Sequence, residues 1–384
     1  MIDTTIILFG YEGNNILGQL RTYGQLGYKP VLVIVSSDKK PYYVIRSKYR
    51  GDIINVRSNE EGLRIIIEKY SHGKTKAIIS TDSDSVVSLL NDNYDRLVDS
   101  FYFFNSGAQG KLTPYLNKYY LYHAAEQCGF RTPKSETVKI GDLPQNLSYP
   151  IFTKAINSFA PNWKSSVFIC NNESELIDAY SRLNGDTVLL QEYIKKKNEF
   201  ILQGLCVNNG CDVFIPLEGS YFRVLPSSYS NYLFFQAYSG RCLNQLKSLL
   251  QTIGYNGIFE VEFLITDEDE LVFLEINFRQ TAWNHTFTNM GVCLEKVWLN
   301  SLVTHKIDDT DVCIIKQPWR LMNEFVDFKD AVVHGNVSLL EWINDVRRTD
   351  SFMIYDKSDI HPFISYLNRY LGGIICSTFR KITH

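Results

Sequence analysis

Glu262, Glu275, Asn277 and Arg279 are the residues of this sequence whose types and spacing are best suited to chemistry. They belong to two strand-like segments, 258–265 and 271–278, which flank the polar turn Thr266-Asp267-Glu268-Asp269-Glu270. Alternation puts Phe259, Val261, Phe263 and Ile265 on one face of the first segment and Glu260 and Glu262 on the other. On the second, Val272, Leu274, Ile276 and Phe278 share a face, and Glu275, Asn277 and Arg279 share the opposite one. A hairpin symmetric about Glu268-Asp269 sets Glu262 directly opposite Glu275, and Glu260 opposite Asn277. Like charges on facing strands are destabilising. Two charges 4 Å apart at an effective dielectric near 20 repel by about 4 kcal/mol. A divalent cation turns that repulsion into ligation, and a Glu/Glu/Asn oxygen set suits Mg²⁺ rather than zinc. Arg279 would then meet phosphate oxygens bidentately. The plain structural alternative is a solvent-facing hairpin in which Glu275 pairs with Arg279 or a lysine.

Upstream lie further candidates. Lys154 sits in an otherwise apolar strand, Tyr149-Pro150-Ile151-Phe152-Thr153-Lys154-Ala155-Ile156, where it either snorkels at a sheet edge or points its ammonium into a charged site. The stretch Val188-Leu189-Leu190-Gln191-Glu192-Tyr193-Ile194 begins apolar, turns polar and leads to Glu199. It reads as an extended segment able to meet an adenine edge with its backbone, a carboxylate catching ribose hydroxyls, or as an ordinary buried strand end. Arg223 is a further candidate for phosphate or a substrate carboxylate, and His285 reads as structural in preference to a substrate contact.

Two kinds of element must carry these residues. The first hundred residues alternate short apolar runs (5–9, 31–35, 77–80, 101–104) with helical stretches near 15–26, 60–71 and 84–98, which predicts a parallel sheet covered on both faces. Its first turn, Gly10-Tyr11-Glu12-Gly13-Asn14-Asn15-Ile16-Leu17-Gly18, opens a helix and either holds an anion or simply packs tightly; it is not GxGxxG. Thr113-Pro114 opens a helix through about Cys128. Beyond Pro133 the pattern becomes α+β on antiparallel strands, with helices near 173–183, 241–253 and 291–303. The tail, 311–384, has a strand-like 312–315 and amphipathic segments near 338–347 and 362–371.

Composition narrows the class. The 384 residues are 45% hydrophobic and 21% charged, with net charge −3 and 24 Tyr and 23 Phe. That is a globular composition without the concentrated basic face of a nucleic-acid binder. Eight scattered cysteines form no CxxC pair and no zinc-like spacing, which predicts free thiols in a reducing cytosol. No basic n-region precedes the first strand and no apolar run is long enough to span a bilayer, so the expectation is a cytoplasmic protein without signal peptide or membrane partner. A homodimer is the default assembly.

Taken in order, Asn117-Lys118, Tyr149-Pro150-Ile151-Phe152-Thr153-Lys154, Gln191-Glu192-Tyr193-Ile194, Glu199, Gly257-Ile258-Phe259-Glu260-Val261-Glu262-Phe263 and Leu274-Glu275-Ile276-Asn277-Phe278-Arg279 resemble the ATP-grasp superfamily over roughly residues 110–300. The resemblance implies a Rossmann-like preATP-grasp α/β domain at 1–112. It implies ATP-grasp subdomains at 113–190 and 191–310, antiparallel and α+β, with 311–384 an extension of unknown role. It also implies ATP and Mg²⁺ (or Mn²⁺) as cofactors. Lys118 and Lys154 would contact phosphates. Gln191, Glu192 and Ile194 would line the adenine pocket and Glu199 would hold the ribose. Glu262, Glu275 and Asn277 would ligate metal, and Arg279 would lie near the γ-phosphate or an acyl phosphate. The implied activity is an ADP-forming ligase joining a small-molecule carboxylate to an amine. Bicarbonate activation of the carbamoyl-phosphate synthase or biotin carboxylase kind, and nucleotide binding without turnover, are the alternatives. The loop 157–166, glycine-rich in the family, has no glycine here.

Overall fold

Five short strands with β-branched and aliphatic runs open the chain, and all five pair in parallel. The computed structural model describes residues 3–36, 42–154, 167–224, 231–308, 310 and 315–382, with side chains described as far as 371. The first unit comprises β1 (Ile6–Tyr11), α1 (Asn14–Gln25), β2 (Val31–Val35), β3 (Ile53–Val56), α2 (Asn59–Tyr70), β4 (Ala77–Ser80), α3 (Asp84–Asp92), α4 (Tyr94–Leu97) and β5 (Phe101–Tyr102). Its sheet order is β3-β2-β1-β4-β5. Every residue of β2 is buried, as is β1 up to Tyr11, because helices cover both faces. The edge strand β3 was not legible as a strand: Ile53-Ile54-Asn55-Val56 is short and only its last residue is buried. The helix expected over 84–98 breaks at Asn93, whose backbone (φ −111°, ψ 20°) leaves the helical region.

A second unit follows: α5 (Lys118–Gln127), β6 (Ser135–Lys139), β7 (Ile151–Lys154), β8 (Ile169–Cys170), α6 (Glu173–Tyr180) and β9 (Thr187–Glu192), with sheet order β6-β9-β7-β8. The single helix expected from Thr113 is instead a 3-10 turn, Thr113–Leu116, and then α5. Asn117 is extended (φ −94°, ψ 128°) and accepts the Tyr119 N–H at 2.9 Å, so it stops the first piece and caps the second. Lys118 therefore stands at the first position of a helix.

The third unit contains β10 (Asn198–Val207), β11 (Asp212–Tyr221), β12 (Tyr232–Ala237), α7 (Leu243–Ile253), β13 (Gly257–Ile265), β14 (Leu271–Asn277), α8 (Asn284–Asn289), α9 (Leu294–Thr304), β15 (Trp319–Met322), α10 (Glu324–Asp327), α11 (Leu339–Arg348), β16 (Ser351–Phe352) and α12 (Ile360–Ile382). Its seven strands run β14-β13-β10-β11-β12-β15-β16. The tail is thus built into this sheet through β15 and β16. Most of the expected strand 312–315 lies outside the described residues, as does the loop 157–166. The six described cysteines are free, and no described helix is long and apolar enough to cross a membrane.

Candidate functional site

Strands β10, β13 and β14 lie side by side, and their pairing assembles the site. Glu262 faces Glu275 and Glu260 faces Asn277. Across the other edge of β13, Ile201 faces Glu262 and Gln203 faces Glu260. Glu199, two residues before Ile201, shares that face by alternation. The expected facing of the two glutamates is met by two departures that cancel. The turn closes with the Thr266 N–H on the Glu270 carbonyl and the Asp269 N–H on the Thr266 carbonyl, both at 3.0 Å, with Asp269 at φ 63°. It is therefore a three-residue loop centred on Glu268, not a two-residue one. A bulge then shifts the register between Glu262 and Phe263 and restores the facing pair. As a consequence Phe273, rather than Leu274, opposes Phe263 and shares its face. Phe273 packs at 5.7 Å from the Phe263 ring and 5.3 Å from Phe130.

The carboxylates are unequally compensated. Lys118 Nζ donates to Glu275 Oε2 at 2.6 Å and holds that carboxyl down to about 2. Glu262 accepts from Asn277 Nδ2 at 3.1 Å, but burial, and then the charges of Glu275, Glu260 and Glu199, push it well above the usual carboxylate range. Glu260, bonded to Gln203 Nε2 and, at 3.4 Å, to Asn277 Nδ2, is pushed up to about 7, chiefly by burial. Lys154 lies on β7, between β9 and β8 in its sheet, and is half-buried. Its ammonium is brought down to about 8 by burial and by Lys118, against the pull of Glu275, Glu262 and Glu199. Its strand is interior to the sheet, and its Nζ lies 5.3 Å from the centroid of the Phe152 ring.

The other expected residues are engaged in different ways. The Gln191 carboxamide donates to Ser135 Oγ at 3.0 Å and Tyr122 Oη at 3.4 Å. Glu192 lies 3.7 Å from Arg131 Nη2, and Arg131 also pairs with Glu270 on the hairpin turn, tying the two sheets together. Tyr193 N–H bonds the Pro150 carbonyl, whereas the Ile194 N–H has no backbone partner among the described residues. Glu199 is buried and paired with Lys196. Arg279 reaches out of the sheet to Asp84 on α3 (Nε to Oδ1, 2.7 Å) and to Asn277 Oδ1 at 3.1 Å; against the effect of burial, the charges of Asp84, Asp82 and Glu260 raise its pKa. Arg223 is held by both oxygens of Asp327 at 2.8 Å and by Asp345. His285, buried, bonds Asp356 Oδ2 at 2.8 Å through Nε2, and burial lowers its pKa. A cavity of about 330 Å³ adjoins Glu260 and Glu262 and reaches Asn14, Asn15, Trp283 and Asn323. A larger open one of about 690 Å³, lined by Arg46, Lys48, Arg50 and His361 among others, touches none of the site residues.

No family model and no curated protein matches the sequence. Among solved structures, the L-amino acid ligase of Bacillus licheniformis superposes with TM-score 0.61 at 13% identity, covering 78% of this chain and 74% of that one. The N5-carboxyaminoimidazole synthase of Aspergillus clavatus, solved with ADP and 5-aminoimidazole ribonucleotide, gives 0.63 at 12% identity, over 84% and 83%. The biotin carboxylase of Campylobacter jejuni gives 0.63 at 18% identity, over 83% and 75%. The chain has the ATP-grasp fold.

Within the ATP-grasp fold, Glu262, Glu275 and Asn277 can be tested as donors for a divalent cation. The set offers oxygens, and among the described residues Glu262 has no ion pair of the kind Lys118 gives Glu275. A hard cation between the two carboxylates meets that need, so the residues fit. Asn277 must first turn its carboxamide, since it presents Nδ2 to the glutamates and Oδ1 to Arg279. Among the described residues no three His, Cys, Asp or Glu side chains are grouped for a metal, so the amide is needed as third donor. Sequence reasoning missed Gln203 and the pairing of Asp84 with Arg279. Gln203 carried a signal, a lone polar residue two positions from Ile201 in an apolar strand; Asp84, 195 residues from Arg279, carried none.

Proposed function

We propose that this chain is an ATP- and Mg²⁺-dependent ligase, with Mn²⁺ able to substitute, that activates a carboxylate as an acyl phosphate for attack by an amine. The observation that carries this reading is the half-buried Glu262/Glu275 pair, facing across two strands with Lys118 on Glu275, on this fold. The carboxylate oxygen takes the γ-phosphoryl group and ADP leaves. The amine nitrogen then displaces phosphate from the acyl carbon and releases a proton, leaving an amide. Positioning and charge neutralisation supply the catalysis.

Lys154, its ammonium at about 8, is mostly cationic at neutral pH and suits a phosphate oxygen. Lys118 is spent on Glu275 in this state, and a metal ligated by Glu275 would release it to the phosphates. Bound Mg²⁺, held by Glu262, Glu275 and Asn277, would neutralise phosphate charge. The Ile194 N–H suits an adenine acceptor, with Gln191 and Glu192 forming the strand end beside it, and Glu199 suits ribose hydroxyls. Arg279 would reach the transferred phosphoryl group after parting from Asp84. As domains the reading takes 1–112, 113–190 and 191–310; within 311–384, β15 and β16 belong to the seven-stranded sheet.

A second reading, bicarbonate activation, is favoured by the likeness to a biotin carboxylase and a carboxyaminoimidazole synthase. ADP release separates the readings. Turnover that needs a carboxylate and an amine together supports the ligase, and turnover with bicarbonate alone supports the second. Tight ATP binding without ADP release from any pair leaves a nucleotide-binding protein and contradicts both.

A further inference from the structure

The larger cavity, of about 690 Å³, touches none of the residues used above, and its charge is of one sign. Its walls come from opposite ends of the chain. One is residues 45–50, which follow β2 and start in the 3-10 turn Val44–Arg46; the other is the first turns of α12. Arg46, Lys48, Arg50 and His361 line the space and are exposed. No aspartate or glutamate lines it, although the chain has 42 acidic residues against 39 Lys and Arg. Among the described residues, Arg46, Arg50 and His361 have no ion pair and no side-chain hydrogen bond. Asp359, just before α12, is spent on Arg21 and on the Lys48 N–H. Lys29 sets a further ammonium on the Lys48 carbonyl, at 2.9 Å.

The fold holds these cations together. The Ser365 hydroxyl donates to the Tyr42 carbonyl at 2.9 Å, and the Arg369 guanidinium lies 4.0 Å from the centroid of the Tyr42 ring. The Tyr43 and Tyr366 rings meet edge to face at 5.2 Å. With the Lys48 N–H on Asp359 Oδ1 at 3.0 Å, residues 42–48 are fixed against α12. Like charges confined in this way repel, and a ligand of opposite sign turns the repulsion into binding.

We propose that this cavity binds a soluble di- or polyphosphate, which bridges residues 46–50 and the start of α12. Arginine forks pair bidentately with phosphate oxygens, and adjacent phosphates meet several cations at once where a single carboxylate would not. The volume is that of a small-molecule site. Its apolar lining is Ile45 and Ile364, with no Phe, Tyr or Trp ring on which a base could stack, which disfavours a nucleic acid strand. The proposal is independent of the ligase reading, since it involves neither a metal nor β13 and β14.

The test titrates the full-length protein with inorganic pyrophosphate by calorimetry, in EDTA at about physiological ionic strength. The natural protein should bind one equivalent that Arg46→Ala/Arg50→Ala binds at least tenfold more weakly and that Arg46→Lys/Arg50→Lys retains in part. Any pyrophosphate held at Lys118 and Lys154 is common to all three proteins and drops out of the comparison. Affinity for ATP with Mg²⁺ should be the same in all three. Both arginines are exposed, so the alanine variant should melt at the same temperature or higher without pyrophosphate, which separates lost binding from lost folding. Pyrophosphate should raise the melting temperature of the natural protein more than that of the variant. No pyrophosphate binding by the natural protein, or an alanine variant within twofold of it, would overturn the proposal. So would binding matched by sulfate at equal ionic strength, the mark of a diffuse basic face. Failure of all three to bind ATP with Mg²⁺ would sink the ligase reading alone.

Discussion

Glu262 has the least compensated charge in the site, and its surroundings set the pH dependence of the protein without metal. Glu260 titrates near 4.5 when unfolded and near 7 when folded, so the folded state holds its proton more tightly. That contribution to stability is fully present below pH 4.5 and is lost as pH rises to 7. It is on the order of 3 kcal/mol. Glu262, raised for the same reason, extends the loss upward. Glu275 has the opposite sign: its contribution is present above pH 4.5 and is lost as pH falls toward 2. Thermal unfolding of the metal-free protein should therefore show stability falling between pH 5 and 7.5, and saturating Mg²⁺ should flatten that slope. An unchanged slope with Mg²⁺ would argue against cation binding at the pair. Lys118→Ala should leave Glu275 without its cation and weaken ATP at least tenfold, as read by calorimetry. At this scale the sequence was informative where alternation applies, since the pairing of Glu262 with Glu275 needs only a period of two and a turn centre. Partners reached through space, such as Asp84 for Arg279, leave no local pattern.

Among the elements, the β13–β14 hairpin and its neighbour β10 decide whether the carboxylates meet. The symmetric turn expected from the sequence and the three-residue turn observed give the same facing pair only because a bulge intervenes. The three-residue turn has Asp269 in a left-handed backbone, which aspartate tolerates but does not advertise. On β10, Gly204 admits no side chain: a Cβ would sit 2.5 Å from the Phe259 ring and 2.8 Å from the Phe214 carbonyl. Gly204→Ala should cost roughly 1–3 kcal/mol in urea unfolding and, by displacing Gln203 next to Glu260, raise KM for ATP more than a substitution remote from the site would. A stability change below 0.5 kcal/mol would show that the strands yield more easily than their packing implies. Long, strongly patterned elements such as β1, β2, β13 and α7 were legible. Short or interrupted ones, β3, β16 and the break at Asn117, were not, because one capping asparagine or two bridging residues decide them.

For the whole molecule, the tail that carried no chemical signal in the sequence is part of the architecture. Arg21 on α1 is fully buried and donates to Asp359 Oδ2 at 3.1 Å, to the Ile354 carbonyl at 2.9 Å and to the Asp359 carbonyl at 3.0 Å, while Asp359 Oδ1 accepts the Lys48 N–H. Breaking a buried pair on one side leaves an uncompensated charge and costs about 3–5 kcal/mol. Asp359→Ala should lower the urea midpoint accordingly, and a loss under 1 kcal/mol would mean that the tail docks through other contacts. None of this was readable in advance, because the two partners lie 338 residues apart. The central claim is that Glu275 and Asn277 hold a metal that holds ATP. Calorimetry of ATP binding with and without Mg²⁺, on the natural protein and on Glu275→Ala/Asn277→Ala, tests it most directly. Mg²⁺-dependent binding that is abolished in the folded double variant is the result the account predicts. No ATP binding by the folded natural protein, or binding unchanged in the variant, would contradict it.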